Sequence, residues 1–221
     1  MRKTLLLIAL LWLPMAWGAG TAGPHVMPAD PCRALYDSMG LDSVVSYRAF
    51  EQAYTGYGKI AGRKKDLLAL IDFSKPSTEE RFFVLDLDSC RIVMSTYVAH
   101  GKGSGGNYAT SFSNKSGSHK SSLGFFLTET AYQSRRNGYS LLLNGLEKGI
   151  NDNARSRSLV IHAADYVDRS LTGAGRLGRS FGCPAVPAED NARVIDLLKG
   201  GAVLFIYADD GNYRETSRLV N

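Results

Sequence analysis

Cys183 stands in a segment whose residue types could support nucleophilic chemistry, Arg179-Ser180-Phe181-Gly182-Cys183-Pro184-Ala185-Val186. Gly182 permits a sharp backbone turn just before the thiol, which would expose the sulfur. The consecutive amides of Gly182 and Cys183 could then point at one spot, as an oxyanion hole requires. The same residues also fit a buried, inert cysteine in a Gly/Pro turn, because cysteine is among the most buried residue types.

His162 ends the short apolar run 158–161, where a loop would leave the edge of a sheet. A thiolate needs a base or an imidazolium neighbour to be populated near neutral pH. The Gly-rich segment 173–182 follows and delivers Cys183, so one loop could bring the two side chains together. The pair predicts cysteine-dependent catalysis with His162 as the base. A hydrogen-bonded core histidine is the alternative interpretation of His162.

The chain has three cysteines, and an odd number leaves one thiol unpaired in an oxidising compartment. Cys32 follows Asp30-Pro31, and Cys90 lies in a predicted hairpin turn. We expect these two to form a disulfide that ties the N-terminal segment to the sheet, which would leave Cys183 free. The cysteines and histidines show no CxxC or HxxxH spacing, so we predict no metal site and no cofactor.

The N-terminus has the pattern of an export signal. Arg2 and Lys3 precede the apolar run 4–13, and small residues follow between 16 and 22. This pattern predicts a signal peptide over residues 1–22, cleaved near 18–22. The run is shorter than the roughly 20 apolar residues of a membrane span, so we expect no stable span after signal removal. A retained N-terminal anchor is the alternative.

An exported chain would reach the periplasm or cell envelope. The formal net charge is +5 over 221 residues, which suits an anionic polymer but also many other secreted proteins. No dense Lys/Arg run is interleaved with aromatic residues, so nucleic acid is not an expected partner.

The rest of the chain predicts a mainly β domain with peripheral helices. Residues 23–64 read as an N-terminal helical extension, with a helix over 32–61 in which Gly40 with Asp42 marks a break and a new N-cap. Residues 65–221 read as the catalytic domain, and residues 100–124 within it as a long Gly/Ser loop. Predicted strands cover 67–72, 82–87, 91–99, 125–128, 139–143, 158–162 and 202–207, and a helix covers 187–199.

Val160-Ile161-His162 and then Ser180-x-Gly182-Cys183 resemble the signature of the YkuD-like L,D-transpeptidase catalytic domain. The segments 107–114, 145–154 and 175–180 are similar to a branch of that family, the murein L,D-transpeptidase catalytic domain proteins. The resemblance covers residues 65–208. It implies a β-sandwich or barrel-like catalytic domain that acts on peptidoglycan stem peptides.

The resemblance also implies a reaction and roles for residues. Cys183 would attack the third stem residue, release D-alanine and leave a thioester, which an amine of a neighbouring stem would resolve as a 3→3 cross-link. The Ala163 carbonyl would orient His162. Two positions depart from the family pattern, since Phe181 stands where a second His is common and Ala185 where an Arg is common.

Several residues are candidates for binding substrate. Arg179 or Arg176 would replace the missing arginine as a bidentate carboxylate donor. Polar contacts to the substrate are further expected from Ser180, Tyr108 and Asn144. For Asn144 and the nearby 151–153, an Asx-rich connection that caps its own backbone is the alternative.

Two other functions fit the same residues. One is an L,D-carboxypeptidase, in which water resolves the thioester. The other is a non-catalytic peptidoglycan-binding module, in which Phe181 and Ala185 mark a degenerate site.

Overall fold

The structure is a computed structural model that describes residues 30–221. The signal peptide predicted for residues 1–22 lies outside the described residues, as does the start of the predicted helical extension. Within 30–221, no helix combines the length and the apolar character that crossing a membrane requires.

Eight strands in the described range form one mixed sheet. They are β1 Leu67–Asp72, β2 Phe82–Asp86, β3 Arg91–Thr96, β4 Gly124–Ser134, β5 Gly138–Gly145, β6 Val160–Ala163, β7 Ala185–Val186 and β8 Val203–Tyr207. Their order across the sheet is β3-β2-β1-β8-β4-β5-β6-β7. The parallel pair β1 and β8 lies at the centre. Both strands are buried at nearly every position, which explains why their sequences are almost continuously apolar.

The two ends of the sheet meet through the segment that follows β3. Ala99 pairs with Ala185 of β7, with its N–H donating to the Ala185 carbonyl at 2.8 Å. Gly101 forms a second bridge to Ser180. The sheet is therefore nearly closed, and the mainly β, barrel-like fold predicted from the sequence is confirmed.

Helices lie at the periphery of this sheet. They are α1 Pro31–Ser38, α2 Tyr47–Lys59, α3 Ala188–Leu198 and α4 Gly211–Thr216, with a 3₁₀ helix at Arg169–Ala174. α2 packs on β1 and β8, whereas α3 packs on β5 and β6. The apolar face of α2 carries Ala49, Phe50 and Ala53 at helical spacing, all fully buried.

The helical stretch predicted for 32–61 consists of two helices. The break falls at Gly40, whose φ of +63° is in the left-handed region that favours glycine. Asp42 is not the new N-cap, because the turn continues and Ser46 caps α2 by accepting the Ala49 N–H at 3.2 Å. Gly56 of α2 lies directly on the Phe125 ring, where any Cβ would clash.

The largest difference from the expected elements is the hairpin of β4 and β5. The sequence predicts two short strands, over 125–128 and 139–143, but the observed strands are longer and paired from Phe126–Gly145 to Ser134–Gly138. The distal half of β4 is polar and largely exposed, so it lacks the apolar signal on which the prediction rests. This distal half projects beyond the body of the sheet.

The Gly/Ser segment predicted as a loop over 100–124 packs against the domain and is held there by hydrogen bonds. Ser121 accepts the Gly101 N–H at its hydroxyl at 3.0 Å, and its own N–H donates to the Ser104 hydroxyl at 2.9 Å. The Ser121 hydroxyl also donates to the Gly182 carbonyl at 3.2 Å. The loop is thereby fastened behind the turn that carries Cys183.

The expected disulfide between Cys32 and Cys90 is not formed, since both are free thiols. Cys32 lies half-buried in α1 beside Tyr47, where burial raises the pKa of its thiol to about 11. Cys90 is exposed in the turn between β2 and β3 and its thiol faces the Leu87 carbonyl at 3.7 Å. Each sulfur is therefore held in a separate local environment.

Candidate active site

Cys183 and His162 lie on adjacent segments at one end of the sheet. His162 belongs to β6, and its backbone N–H donates to the Pro184 carbonyl at 3.3 Å. It is paired with Ala185 of β7, which follows Cys183 closely in the chain. The side chains of Cys183 and His162 line the same cleft. The structure thus brings together the two residues that the sequence pairs.

Ser180 holds the turn that presents the thiol. Its hydroxyl accepts the Gly182 N–H at 3.0 Å and donates to the Cys183 carbonyl at 2.6 Å. Gly182 has a φ of +127°, and a Cβ there would lie 2.9 Å from the Lys120 carbonyl oxygen. Glycine is required at this position because a larger residue would be both strained and obstructed.

The oxyanion hole predicted from the amides of Gly182 and Cys183 is only half available. The Gly182 N–H is already bound by the Ser180 hydroxyl, so it does not have the expected role. The N–H of Cys183 makes no hydrogen bond to any residue in 30–221. It is therefore the candidate oxyanion donor of this turn.

The imidazole of His162 is held in one tautomer. Its Nδ1 lies 2.8 Å from the Ala163 carbonyl oxygen, which can only accept, so Nδ1 carries the hydrogen. Nε2 is then the basic nitrogen, on a side chain that lines the cleft. Burial lowers the pKa of His162, and the Arg136 charge adds to this against the effect of the Ala163 carbonyl. A neutral imidazole is therefore favoured.

The thiol of Cys183 is half-buried and faces the Ser158 carbonyl oxygen at 3.7 Å. Burial raises the pKa of Cys183, whereas the backbone of Val160 and the charges of Arg157 and Arg136 lower it to a smaller extent. The resting pair is consequently a thiol and a neutral imidazole. Such a pair forms the thiolate during attack, by proton transfer to the base.

Both side chains open on a cleft of about 760 Å³. Its walls come from β6, the Cys183 turn and the tip of the β4–β5 hairpin. Lining residues that bear on the chemistry include His162, Ala163, Tyr166, Arg136, Arg179, Ser180, Phe181 and Cys183. A cleft of this volume accommodates a peptide segment.

The two arginines proposed for substrate binding have other contacts. Arg179 lines the cleft, but its guanidinium donates to the Gly105 carbonyl at 2.7 Å. Arg176 does not line the cleft, and its guanidinium donates to the Leu177 carbonyl at 3.2 Å. Each guanidinium thus has one nitrogen engaged by a backbone carbonyl, and of the two arginines only Arg179 lines the cleft.

Tyr108 and Asn144 lie outside the cleft. Tyr108 is exposed on the 100–124 loop, which packs behind the Cys183 turn. Asn144 pairs with Leu127 in the hairpin and lines a separate depression together with Gly62 and Arg155. Strand register places Asn144 there, and register is not readable from its polar neighbours alone.

The Asx-rich stretch 151–153 supports the fold. The buried Asn151 donates to the carbonyls of Leu123 and Phe125 and accepts the Glu147 N–H at 2.9 Å. Asn153 contacts Asn114 of the long loop. The alternative in which this connection satisfies its own and neighbouring backbone groups is the one observed.

Two arginines near the thiol, Arg157 and Arg136, were not predicted from the sequence. Arg157 donates to the carbonyls of Ser113 and Lys120, which fastens the long loop beside Cys183. Arg136 and Phe181 meet above the cleft, with the guanidinium carbon 5.6 Å from the ring centroid. The dipeptide Asn137-Gly138 is a hairpin signal that could have located Arg136 at a hairpin tip.

Among the described residues, no group of three or more His, Cys, Asp or Glu side chains is placed to hold a metal ion.

The sequence matches the L,D-transpeptidase catalytic domain family over residues 41–207. No curated protein matches it. Similar solved structures include an L,D-transpeptidase from Mycobacterium smegmatis, at 13% identity and a TM-score of 0.41, covering 65% of this chain and 59% of that chain. Another is an L,D-transpeptidase from Stackebrandtia nassauensis, at 13% identity and a TM-score of 0.41, covering 81% of this chain and 77% of that chain.

A third is an L,D-transpeptidase from Mycobacterium tuberculosis H37Rv, at 13% identity and a TM-score of 0.40, covering 64% of this chain and 57% of that chain. The chain therefore spans less than two thirds of the length of both mycobacterial proteins.

Proposed function

This chain belongs to the L,D-transpeptidase catalytic domain family, and we propose that it transfers acyl groups between peptidoglycan stem peptides, with Cys183 as nucleophile and His162 as general base. One observation carries the proposal. The thiol and an imidazole whose Nδ1 is engaged by the Ala163 carbonyl line the same cleft, so Nε2 is the nitrogen available to the thiol.

The first half of the reaction forms a thioester. His162 Nε2 takes the thiol proton as Cys183 Sγ attacks the carbonyl carbon of the third stem residue. The Cys183 N–H stabilises the oxyanion of the tetrahedral intermediate. When the carbon–nitrogen bond breaks, the imidazolium returns its proton to the departing amine, and D-alanine leaves.

The second half reverses the roles. An amine from a neighbouring stem attacks the thioester carbonyl and gives its proton to His162 Nε2, and the carbon–sulfur bond breaks to restore the thiol. The product is an amide between two third residues, a 3→3 cross-link. Because the thioester conserves the acyl free energy of the donor, the reaction needs no ATP and no cofactor.

The substrate implies where the protein works. Stem peptides lie outside the cytoplasm, so the proposal includes export to the periplasm or cell envelope by the signal peptide predicted over residues 1–22. N-terminal sequencing of the mature protein tests this, because a start near residues 19–23 supports cleavage and an intact Met1 supports a retained anchor.

The enzymatic proposal is tested with a purified disaccharide-tetrapeptide and mass spectrometry of the products. We expect wild type to yield D-alanine and a cross-linked dimer, and Cys183→Ala to yield neither. Cys90→Ala is the matched control, because Cys90 is a free, exposed thiol away from the cleft, and it should behave as wild type.

Other product patterns decide between the alternatives. Tripeptide without any dimer would identify an L,D-carboxypeptidase. A folded wild-type protein that forms no product and no covalent adduct with a carbapenem would support a binding module. Full turnover by Cys183→Ala would refute the assignment of the nucleophile.

A further inference from the structure

Arg136 is an uncommitted cation in the cleft. It lies at the tip of the β4–β5 hairpin, between Ser134 and Gly138, and its side chain is exposed. Its backbone N–H donates to the Ser134 hydroxyl, but its guanidinium forms no hydrogen bond or ion pair with any residue of 30–221. By contrast, the guanidinium groups of Arg157 and Arg179 donate to the backbone carbonyls of Lys120 and Gly105, respectively.

The Phe181 ring contacts this guanidinium and also Lys102, whose Nζ lies 4.2 Å from the ring centroid. The Arg136 guanidinium carbon lies 5.6 Å from the ring centroid, within the range of a cation–π contact. Phe181 is 56% exposed, although it directly precedes the buried Gly182. A cation–π contact restricts the arginine while its N–H donors stay open to a ligand.

The charge of Arg136 reaches the reacting groups. Burial raises the pKa of Cys183 and of Tyr166 and lowers that of His162; the Arg136 charge opposes the first two shifts and adds to the third, and all three residues line the cleft. Asp165 is the one carboxylate among the residues that line this cleft. Three arginines, Arg136, Arg157 and Arg179, line the cleft against this one carboxylate, so its lining carries a net positive charge.

The proposed donor peptide has a terminal carboxylate close to the bond that is cleaved. When the last residue of a peptide is the leaving group, its carboxylate carbon is three bonds from the attacked carbonyl carbon. The two atoms are therefore within about 4 Å of each other. A carboxylate recognised at that distance fixes the scissile bond over the nucleophile, and a planar guanidinium suits a carboxylate best.

We propose that Arg136, in cation–π contact with Phe181, binds the C-terminal carboxylate of the residue that leaves the donor peptide and so makes the cleft specific for peptide ends. This inference rests on the proposed function for the identity of the donor. Arg136 thereby takes the role that the sequence assigned to Arg179 or Arg176.

Binding to a nucleophile-free protein tests the inference separately from the reaction. In the Cys183→Ala background, the affinity for a stem tetrapeptide is compared with that for its C-terminal amide by calorimetry. We expect the acid to bind about tenfold more tightly, as a charge-assisted pair in a partly open site allows. Adding Arg136→Gln should reduce the ratio of the two affinities to about one, chiefly by weakening the binding of the acid.

Arg135→Gln is the matched control, because Arg135 is the exposed neighbour in the same hairpin turn and does not line the cleft. It should leave the ratio unchanged. A second pair of peptides carries either lysine or a diamino acid with its own carboxylate at position three, and Arg136→Gln should weaken both equally. Selective weakening of the dicarboxylic peptide would assign Arg136 to that side chain and overturn the inference.

Steady-state kinetics with the active enzyme completes the test. Arg136→Gln should lower kcat/KM about tenfold for the acid donor and leave the value for the amide donor unchanged. An unchanged acid/amide ratio in Arg136→Gln, or no preference in wild type, would overturn the inference. Loss of covalent chemistry with an intact acid preference would instead refute only the proposed function.

Discussion

Two histidines lie near strand ends in this fold, and they use opposite ring nitrogens. His100, just after β3, accepts at Nδ1 from the Arg81 guanidinium at 2.9 Å, so its hydrogen is on Nε2, which is buried and has no partner in 30–221. His162, in β6, donates from Nδ1 to the Ala163 carbonyl and has Nε2 as its basic nitrogen on the cleft.

The surroundings determine what each ring can do. Burial, together with the Arg81 charge, lowers the pKa of His100 to about 4, so the ring stays neutral and shields a fully buried arginine. Burial also lowers the pKa of His162, but no cation occupies its Nδ1. A strand-end histidine is therefore a candidate base when a carbonyl fixes Nδ1–H and Nε2 faces a cleft, and a structural residue when a cation takes Nδ1.

The largest expected effect is a loss of catalytic activity on substitution of His162 and not of His100. In His162→Asn the amide nitrogen can replace the Nδ1–H donor to the Ala163 carbonyl, but no base remains. We expect kcat/KM for D-alanine release to fall by about 10²–10⁴, the usual worth of a general base, with little change in melting temperature.

His100→Asn is the matched variant, since its amide oxygen can replace the Nδ1 acceptor of Arg81. It should retain most of the turnover and lose stability instead. Equal activity losses in the two variants at equal stability would contradict the division between the rings.

The sequence located His162 and Cys183 because both carry local signals. Val160 and Ile161 mark a strand before the histidine, and Gly182 marks a turn before the thiol. The sequence did not separate His162 from His100 on tautomer, because the partner of His100 is Arg81, from another strand segment. The partner of each ring is fixed by tertiary packing, which no local pattern records.

The same reason explains the other differences. Ser180 binds the Gly182 N–H through a local turn that a glycine-rich sequence does not reveal. Arg136 enters the cleft because the polar half of the β4–β5 hairpin extends past the sheet. Strands β1, β2 and β8 were predictable because continuous apolar runs of that length are typical of buried strands, and β3 because it follows β2 across a hairpin turn.

The next prediction concerns the cation in the His100 region. The fully buried Arg81 guanidinium donates to the Val98 carbonyl at 2.8 Å and to the Lys75 carbonyl at 2.8 Å, and the charge of Asp72 acts on it. Arg81→Leu leaves Asp72 without this cation. We expect a loss of about 3 kcal/mol in the free energy of unfolding, measured by urea denaturation.

Asp72 keeps the hydrogen bond from Ser74, whereas the buried carbonyl of Val98 loses its donors from Arg81. The control is Arg91→Leu, which breaks a partly exposed ion pair with Asp86 at 3.5 Å and should cost less than about 1 kcal/mol. A cost for Arg81→Leu as small as that control would show that the His100 region does not support the fold.

A third prediction uses pH. The pKa of His100 falls from 6.5 to about 4 in the folded protein. Between these values the unfolded chain binds the proton and the folded one does not, so the stabilisation is complete above pH 6.5 and is lost as pH falls toward 4. A shift of this size corresponds to at most about 3 kcal/mol.

The measurement is the free energy of unfolding of wild type and His100→Asn at several pH values between 4.5 and 7. The carboxylates affect the pH dependence of both proteins equally. The difference between the two unfolding free energies therefore reports the titration of the His100 ring. Wild type should lose more stability on acidification than the variant. Parallel curves for the two proteins would contradict the assignment of His100 as a neutral, buried group.

The smallest expected effect tests whether the cleft depends on the turn that presents the thiol. Ser180→Ala removes the hydroxyl that binds the Gly182 N–H and the Cys183 carbonyl, which leaves both backbone groups without that partner. We expect a loss of about 1–2 kcal/mol in stability. We also expect kcat/KM to fall about tenfold, because a displaced nucleophile loses orientation toward His162.

Ser156→Ala is the control, since its exposed hydroxyl makes one bond to the Asn153 carbonyl. If Ser180→Ala lost stability without losing activity, the turn would belong with the His100 region as a support of the fold, and the reactivity of Cys183 would depend on His162 and its cleft alone.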